Sequence, residues 1–292
     1  MEQRILVIGK NSFIGKHFKL KSQFKSIDTV SLREKKPGEI FFKDYDVVLY
    51  LPAIVHQTSK IPEDEYYRVN RDLCLNVAQR AKKDEIKQFI FLSTIKVYGS
   101  KNDNTIRNEF SDCFPDDAYG KSKYQAEKGL QALEDDHFKV SILRTPLVYG
   151  EGVKANMLKI VRIVEKYNIL PFAGIKNKRS FTYAGNLVSY IDCIIDKNAS
   201  GTFIAMDDKS LSTTDLVTLI AKNLNKKLKL FKIPGFLVKT GFFIFPGIFK
   251  RLFSSLVFNN DFTNSTLNYN QPFSTEQGIE RMVNDYLKSQ KS

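Results

Sequence analysis

Short apolar runs alternate with amphipathic stretches through the first two-thirds of the chain. The apolar runs predict strands over residues 4–8, 29–32, 47–51, 89–93, 140–143 and 203–206. The stretches between and after them predict helices over residues 14–25, 69–83, 119–133, 155–165, 187–195 and 213–224. Several runs are apolar at successive positions, which indicates burial on both faces, as in a parallel sheet covered by helices. The alternation therefore predicts an α/β fold built on a doubly wound parallel sheet.

The composition excludes several classes of protein. The chain has 292 residues, of which 42% are apolar, and this is enough for a sizeable core. Three cysteines and three histidines are widely spaced, so we expect no disulfide framework, no metal site and a reducing, cytoplasmic compartment. The formal charge of +13 is spread along the chain without a nucleic-acid-binding motif. We therefore expect a polyanionic small ligand and no nucleic acid partner.

The first chemical signal is a glycine-rich turn between the first predicted strand and the first predicted helix. Glycines there let backbone N–H groups approach a pyrophosphate, and the helix N-terminus adds a favourable dipole. Ser12 stands where a middle glycine is commoner. We predict that the turn binds a dinucleotide cofactor through Gly9, Asn11, Ser12, Phe13, Ile14 and Gly15.

A second signal follows the second predicted strand. Arg33 stands where dinucleotide-binding folds carry an acidic residue for the ribose hydroxyls, or an arginine for a 2′-phosphate. Neither Asp nor Glu precedes it at the strand end, and Ser31 adds another phosphate donor. The sequence thus favours NADP(H) over NAD(H); the alternative interpretation is a solvated loop arginine.

The third signal is a tyrosine–lysine pair. Tyr119 and Lys123 are four residues apart and share one face of a helix. A phenol with an unperturbed pKa of about 10 is a poor acid–base group near neutrality, and a neighbouring ammonium favours the phenolate. We predict that Lys123 lowers the pKa of Tyr119. Thr94, 25 residues before Tyr119 and at the end of a strand, can hydrogen-bond the same substrate oxygen, so Thr94, Tyr119 and Lys123 are the predicted catalytic residues.

With these motifs in this order, the chain resembles the extended short-chain dehydrogenase/reductase family, in particular its nucleotide-sugar epimerases and reductases. The segments that carry the resemblance also include residues 50–53, 69–71, 143–150, 152–156 and 179–183. The resemblance implies a Rossmann-type NAD(P)-binding domain formed by residues 1–146 with about 180–202. It further implies a smaller nucleotide-sugar-binding lobe formed by residues 147–179 and 203–292.

The resemblance also assigns ligand contacts. It implies cofactor contacts by Leu51, Ala53, Asn70, Ser93 and Lys123. On the substrate side, Arg179 would bind the diphosphate, Asn156 the diphosphate or nearby sugar, and the segment around Phe172 the uracil. Lys96 is a further substrate-binding candidate, with a solvent-facing lysine as the alternative.

Three functions stay open on these grounds. The first, which Arg33 and the short chain favour, is an NADPH-dependent reductase of a UDP-4-keto-6-deoxy-N-acetylhexosamine for bacterial surface polysaccharides. The second is a UDP-glucose or UDP-N-acetylglucosamine 4-epimerase that retains NAD⁺, and the third is a catalytically silent NADP-binding scaffold. The family's 4,6-dehydratases carry Asp-Glu where this chain has Ile95-Lys96, which argues against that reaction. A homodimer is expected.

The last unusual feature is an aromatic stretch near the C-terminus. Residues 231–258 contain eight phenylalanines, interspersed with Lys239, Lys250 and Arg251. One interpretation is a helical lid on the sugar lobe. The other is a surface that docks near the membrane, where later enzymes of envelope-sugar assembly work.

Overall fold

The computed structural model describes residues 3–55, 61–99 and 105–291. The strands are β1 (Ile5–Ile8), β2 (Ile27–Val30), β3 (Val47–Tyr50), β4 (Gln88–Thr94), β5 (Lys139–Thr145), β6 (Leu147–Tyr149), β7 (Ile169–Leu170), β8 (Phe181–Tyr183), β9 (Gly201–Ile204) and β10 (Lys229–Leu230). The α-helices are α1 (Phe13–Lys21), α2 (Glu63–Tyr67), α3 (Leu73–Lys83), α4 (Ala118–Gln131), α5 (Ala155–Lys166), α6 (Ala184–Asp196), α7 (Thr213–Asn223), α8 (Gly235–Ile244), α9 (Pro246–Phe253), α10 (Asp261–Leu267) and α11 (Thr275–Ser289). A π-helical turn (Arg68–Asp72) joins α2 to α3, and 3-10 turns span Pro37–Glu39 and Ile95–Tyr98.

Six strands form one parallel sheet in the order β2-β1-β3-β4-β5-β9. Successive residues of β1 serve two cores: Ile5 and Val7 pack in the core with α1 and α6, whereas Leu6 and Ile8 pack in the core with α3 and α4. Both sheet faces are therefore covered by helices, which confirms the predicted doubly wound α/β fold.

The strand order creates a crevice at one edge of the sheet. The chain runs from β1 to β2 on one side and then crosses to β3 on the other side of β1. Helices that leave the carboxyl ends of β1 and β3 consequently diverge to opposite faces, and ligands of open α/β sheets bind at such a switch point. The glycine-rich turn follows β1 directly.

A third core lies outside the main sheet. It joins α5, α7 and α11 to two small sheets, β6 with β8 and β7 with β10. These strands of two or three residues are too short to show a periodic pattern, so the sequence did not predict them. The last strand of the main sheet, expected over residues 203–206, lies at Gly201–Ile204. The division of the chain into two domains stays a prediction.

Two helices differ from their predicted extents for visible reasons. The helix expected over residues 14–25 ends at Lys21, where Ser22 donates a hydrogen bond to Asp192 of α6 at 2.6 Å and the N–H of Gln23 donates to the same carboxylate at 3.0 Å. The helix expected over residues 69–83 begins at Glu63, after Pro62. Proline and acidic residues favour a helix N-terminus, so this start had a signal in the sequence. Within the described part of the chain, no helix combines the length and apolarity needed to cross a bilayer.

Candidate active site

The glycine-rich turn is shaped by close backbone approaches. Gly9 has φ +112°, a left-handed conformation that favours glycine, and its N–H donates to Val30 O of β2 at 2.8 Å. A Cβ on Gly15 would lie 2.7 Å from Gly9 O, so only glycine allows α1 to begin this close to β1. Ser12 is the N-cap of α1 and accepts from the Gly15 N–H at 2.9 Å.

This turn fits a dinucleotide diphosphate. The N–H groups of Phe13 and Ile14 are the first two of α1 and have no acceptor within the helix. Because the turn lacks side chains at Gly9 and Gly15, an anion can approach these groups along the favourable end of the helix dipole. Asn11 is exposed at the same turn.

Arg33 lies in an exposed turn just beyond β2. Its N–H donates to the hydroxyl of Ser31 at 3.3 Å, and Ser31 itself is buried. The arrangement leaves the guanidinium in solvent at the sheet edge that carries the glycine-rich turn. Both interpretations of Arg33, a 2′-phosphate ligand or a solvated arginine, are compatible with this position.

Thr94 and Tyr119 meet at the carboxyl end of β4. Thr94 ends this central strand and caps the 3-10 turn Ile95–Tyr98, accepting from the Lys96 N–H at 3.3 Å. Its side chain is also hydrogen-bonded to the Tyr119 phenol, on the first turn of α4. Two hydroxyls from residues far apart in the chain thus form one polar pair beside the switch point.

The N-terminus of α4 is held against the 3-10 turn by specific contacts. Asp117 caps the helix by accepting from the Gly120 N–H at 2.7 Å and forms an ion pair with the Lys96 ammonium. A Cβ on Gly120 would lie 2.8 Å from Lys96 O, so a side chain there would separate the two segments. Lys96, a predicted substrate ligand, is therefore paired with Asp117 at the start of the helix that carries Tyr119. Sequence reasoning missed Asp117, although an aspartate just before a helix is an N-cap signal.

Lys123 lies one helical turn after Tyr119 but faces inward. Its ammonium donates to Leu92 O at 2.6 Å and lies 3.7 Å from the centroid of the Phe91 ring. The side chain is 1% exposed, and this burial lowers the pKa of Lys123 to about 8.

The structure does not show the predicted lowering of the Tyr119 pKa by Lys123, which stays a prediction. Burial raises the pKa of Tyr119 to about 12; the hydrogen bond with Thr94 lowers it and the Asp117 carboxylate raises it further. The physical reason is that the Lys123 amine is directed to a backbone carbonyl, not to the phenol. Helical spacing places two residues on one face, whereas rotamers and burial decide whether their charges interact.

A buried ion pair lies behind the Thr94–Tyr119 pair. Arg144 of β5 donates to Glu127 of α4 at 2.7 Å, and their side chains are 6% and 1% exposed. Ser93 donates to the same carboxylate, and Arg144 also donates to the Tyr98 hydroxyl at 2.7 Å. Ser93, a predicted cofactor ligand, thus has its hydroxyl proton committed to Glu127. The network connects β4, β5, α4 and the 3-10 turn, and Glu127 had no distinguishing signal in the sequence.

Asn70 joins the segment after β3 to helix α4. Its amide oxygen accepts from the Ile54 N–H at 2.8 Å, and its amide nitrogen donates to Ile54 O at 3.1 Å and to Ser122 at 3.0 Å. Ser122 in turn donates to Tyr119 O at 2.9 Å. Asn70 is fully buried, so its side chain positions backbone at the predicted cofactor site. Of the neighbouring predicted ligands, Leu51 is buried against the glycine-rich turn and Ala53 is half-buried.

The predicted substrate residues lie in the small lobe. Asn156 is exposed at the start of α5, next to Ala155, whose φ of +55° is unusual for a residue with a side chain. Such strain is found at functional sites. Arg179 is half-buried and donates to Ser254 O at 3.2 Å. Phe172 is half-buried in the third core.

Two cavities open on the surface of the described residues. One of about 430 Å³ follows Phe172 and is lined by Pro171, Ala173, Gly174, Ile175, Lys176, Asn177, Lys232, Ile233, Val238, Phe253 and Ser255. Another of about 300 Å³ lies between residues 206–208 and 258–271 and contains none of the predicted site residues. The first is not lined by a predicted site residue either, but it includes Pro171, next to Phe172 in the segment predicted for the uracil, and is therefore the better candidate for the nucleotide of the substrate.

Comparisons with known proteins agree with this geometry. The sequence profile of the Epimerase family, described as the NAD dependent epimerase/dehydratase family, matches residues 6–204. The UDP-glucose 4-epimerase of Vibrio cholerae is 31% identical over 319 aligned residues, which cover 99% of this chain and 97% of that protein. The N-acetyl-alpha-D-glucosaminyl-diphospho-ditrans,octacis-undecaprenol 4-epimerase of Escherichia coli O157:H7 is 26% identical over 255 residues, 80% of this chain and 76% of that protein.

The fold agrees as well. The crystal structure of the UDP-glucuronic acid 4-epimerase from Bacillus cereus in complex with NAD superposes with a TM-score of 0.76 at 19% identity, covering 99% of this chain and 100% of that one. The resemblance inferred from the motifs is thereby confirmed: the chain belongs to the NAD-dependent epimerase/dehydratase family, as a nucleotide-sugar epimerase or reductase.

Proposed function

We propose that this protein is a 4-epimerase of a UDP-hexose or UDP-N-acetylhexosamine. The observation that carries the proposal is the hydrogen-bonded Thr94–Tyr119 pair at the carboxyl end of β4, beside the glycine-rich turn. The full-length similarity to a protein named UDP-glucose 4-epimerase supports this reaction over the reduction that the sequence favoured.

The residues of the switch point fit a nicotinamide dinucleotide. The glycine-rich turn from Gly9 to Gly15 would hold its diphosphate, and the segment at Leu51 and Ala53 borders the same edge of the sheet. Bound there, the nicotinamide would supply a reversible hydride acceptor. The residues of this chain have to handle the proton and hold the sugar.

Tyr119 is the proton-transfer group in this proposal. Its phenolate accepts the proton of the substrate C4 hydroxyl, and the phenol so formed returns that proton to the C4 oxygen after the sugar has turned over in the site. Thr94 orients both oxygens through its hydroxyl. With a pKa of about 12, the phenol is protonated near neutrality, so a positive charge has to approach it before it acts as a base. Lys123, one turn away, supplies that charge if its ammonium leaves Leu92 O.

The substrate would lie between the two parts of the site. Arg179 would pair with its diphosphate, because a guanidinium presents a fork of donors to phosphate oxygens. Asn156 would contact the diphosphate or nearby sugar, and the cavity after Phe172 would receive the base. Three free cysteines are compatible with a cytoplasmic location, and a homodimer remains our expectation.

A 4-keto reductase is the second candidate, and Arg33 is the observation that favours it. An exposed guanidinium beyond β2, with Ser31 beside it, suits the 2′-phosphate of NADPH, the cofactor of a reductase. The same catalytic residues would then donate one proton to the C4 oxygen of a UDP-4-keto-6-deoxy-N-acetylhexosamine as it is reduced. A catalytically silent scaffold would not need Thr94, Tyr119 and Lys123.

One experiment separates these functions. The purified protein is incubated with UDP-glucose or UDP-N-acetylglucosamine without added reductant, and the products are separated by chromatography. We expect the C4 epimer to form without net change in nicotinamide absorbance. Stoichiometric NADPH oxidation with a UDP-4-keto-6-deoxy sugar, and no epimer, would establish the reductase instead. Dinucleotide binding without epimer formation and without NADPH oxidation would favour the scaffold.

Arg33→Asp tests the cofactor preference. If the guanidinium pairs with a 2′-phosphate, the variant loses a charge-assisted hydrogen bond and gains a repulsion, so NADPH affinity falls by about ten- to a hundred-fold or more while NADH affinity does not fall. Dissociation constants for both cofactors, measured at low and physiological salt, check this. Lys35→Asp is the matched control, since it makes the same charge change at an exposed position of the same loop. Equal effects of the two variants on NADPH would identify Arg33 as a solvated residue and favour retained NAD⁺.

A further inference from the structure

The basic aromatic hairpin, formed by α8 and α9 over residues 235–253, presents an apolar surface that the fold leaves open. Phe243 at its tip is 90% exposed and Phe236 is 68% exposed. Leu237, Ile244 and Phe245 are exposed as well. Scattered exposed apolar residues need no explanation, whereas a group of this size on one element marks a site of protein or membrane interaction.

Packing within the hairpin uses other side chains. The Phe249 ring of α9 lies against Gly241 of α8, where a Cβ would be 2.0 Å from the ring. Phe249 also stacks on Phe253, with ring centroids 5.4 Å apart. The two helices therefore close on each other through Gly241 and Phe249, and Phe236 and Phe243 remain directed to the outside.

The carboxyl end of α9 is tied to the small lobe. Thr213 at the start of α7 donates to Leu252 O at 2.6 Å. Ser254 O accepts from Arg179 at 3.2 Å and from the Asn177 amide at 3.3 Å. The hairpin is thus anchored at its base while the loop between its helices, which carries Phe245, is exposed.

The stretch of sequence that contains the hairpin carries charges of one sign. Between Asp215 and Asp261 the chain contains no acidic residue, but seven lysines and Arg251. Lys232, Lys239 and Lys250 are exposed on or beside the hairpin. Aromatic and aliphatic residues combined with lysines are the composition of elements that lie in a membrane interface, and each basic residue near an anionic leaflet adds to the attraction.

We propose that the basic aromatic hairpin docks on the surface of an anionic lipid bilayer, with Phe236, Phe243 and Phe245 at the boundary between headgroups and acyl chains. Val238 of α8 and Phe253 of α9 line the cavity of about 430 Å³, so docking brings this cavity next to the lipid headgroups. The enzyme would then take up or release its ligands at the membrane surface. This goes beyond the proposed reaction and does not depend on it.

Vesicle co-sedimentation of the full-length protein tests the proposal. The probes are vesicles of phosphatidylcholine alone and of phosphatidylcholine with phosphatidylglycerol, at low and physiological salt. We expect binding to the anionic vesicles only. Phe243→Ser should lower the partition coefficient at least about tenfold, because a phenylalanine leaves the apolar boundary. Phe41→Ser is the matched control, since Phe41 is 80% exposed and lies before β3, outside the hairpin; it should leave binding unchanged.

Two double variants separate the contribution of the hairpin lysines to vesicle binding from that of the protein's general positive charge. Lys239→Glu/Lys250→Glu should lower the partition coefficient by roughly 25-fold or more, about fivefold for each lost basic charge. Lys83→Glu/Lys291→Glu makes the same charge change at exposed positions elsewhere and should have a smaller effect.

Three results would overturn the proposal. The first is absence of binding to anionic vesicles, and the second is an equal effect of hairpin and control variants. The third is a Phe243→Ser protein that loses a solution dimer and keeps its vesicle binding, which would assign the hairpin to a second copy of the chain. Because sedimentation needs no turnover, each result is independent of the assay for epimerase activity.

Discussion

Tyr119→Phe is expected to fold normally, bind its cofactor and turn over substrate ~10²- to 10⁴-fold more slowly, the usual contribution of general acid–base catalysis. The substitution removes one hydroxyl, which is hydrogen-bonded to Thr94 and contributes no other described contact to the core. Steady-state kinetics, a thermal melt and a dinucleotide titration together separate the loss of proton transfer from a loss of structure or cofactor.

Tyr124→Phe is the control for this variant. Tyr124 lies on the same helix, is half-buried, and packs against the hydrophobic cluster that contains Ile95 and Phe258. We expect its turnover to match that of the wild type. A Tyr119→Phe enzyme with similarly undiminished turnover would show that another group handles the C4 proton, and the proposed mechanism would have to be abandoned.

Arg144→Met is expected to destabilise the protein by about 3–5 kcal/mol, because it leaves the Glu127 carboxylate buried without its partner. Glu127 is fully buried and Arg144 is 5% exposed, so water does not replace the lost guanidinium. The Tyr98 hydroxyl loses a donor at the same time. Chemical denaturation at neutral pH measures the change in the free energy of unfolding.

Two further variants serve as a control and a rescue for Arg144→Met. Lys209→Met breaks an exposed ion pair with Glu276 and should cost no more than about 1 kcal/mol. Adding Glu127→Gln to Arg144→Met removes the stranded charge, so part of the lost stability should return. If Arg144→Met alone were as stable as Lys209→Met, the buried pair would not support the catalytic end of β4.

Local patterns were enough to predict the sheet and its ligand edge. The run Ile5–Ile8 is apolar at every position because both faces of β1 are covered, and it is followed at once by the glycine-rich turn. Such information is contained in residues close together in the chain. The ends of elements were less certain. Helix α1 ends four residues earlier than its sequence pattern indicates, because Ser22 donates a hydrogen bond to Asp192, 170 residues away.

The catalytic candidates were recognisable from the same kind of spacing. Tyr119 and Lys123 share a helix, and Thr94 ends a strand that precedes it. The spacing did not reveal that the Lys123 amine is directed to Leu92 O, since side-chain direction depends on what surrounds the helix. The structure does not show the predicted charge effect on Tyr119 for that reason.

What the sequence determined by itself is the order of strands and helices, the glycine-rich turn and the residue types available for chemistry, because each depends on neighbours within one element. The tertiary structure decided which of these residues meet. It joined Thr94 to Tyr119, buried Glu127 with Arg144, and engaged Lys96 with Asp117. Those contacts link segments that only the packed sheet brings together, and their energies come from burial and geometry that no local pattern contains.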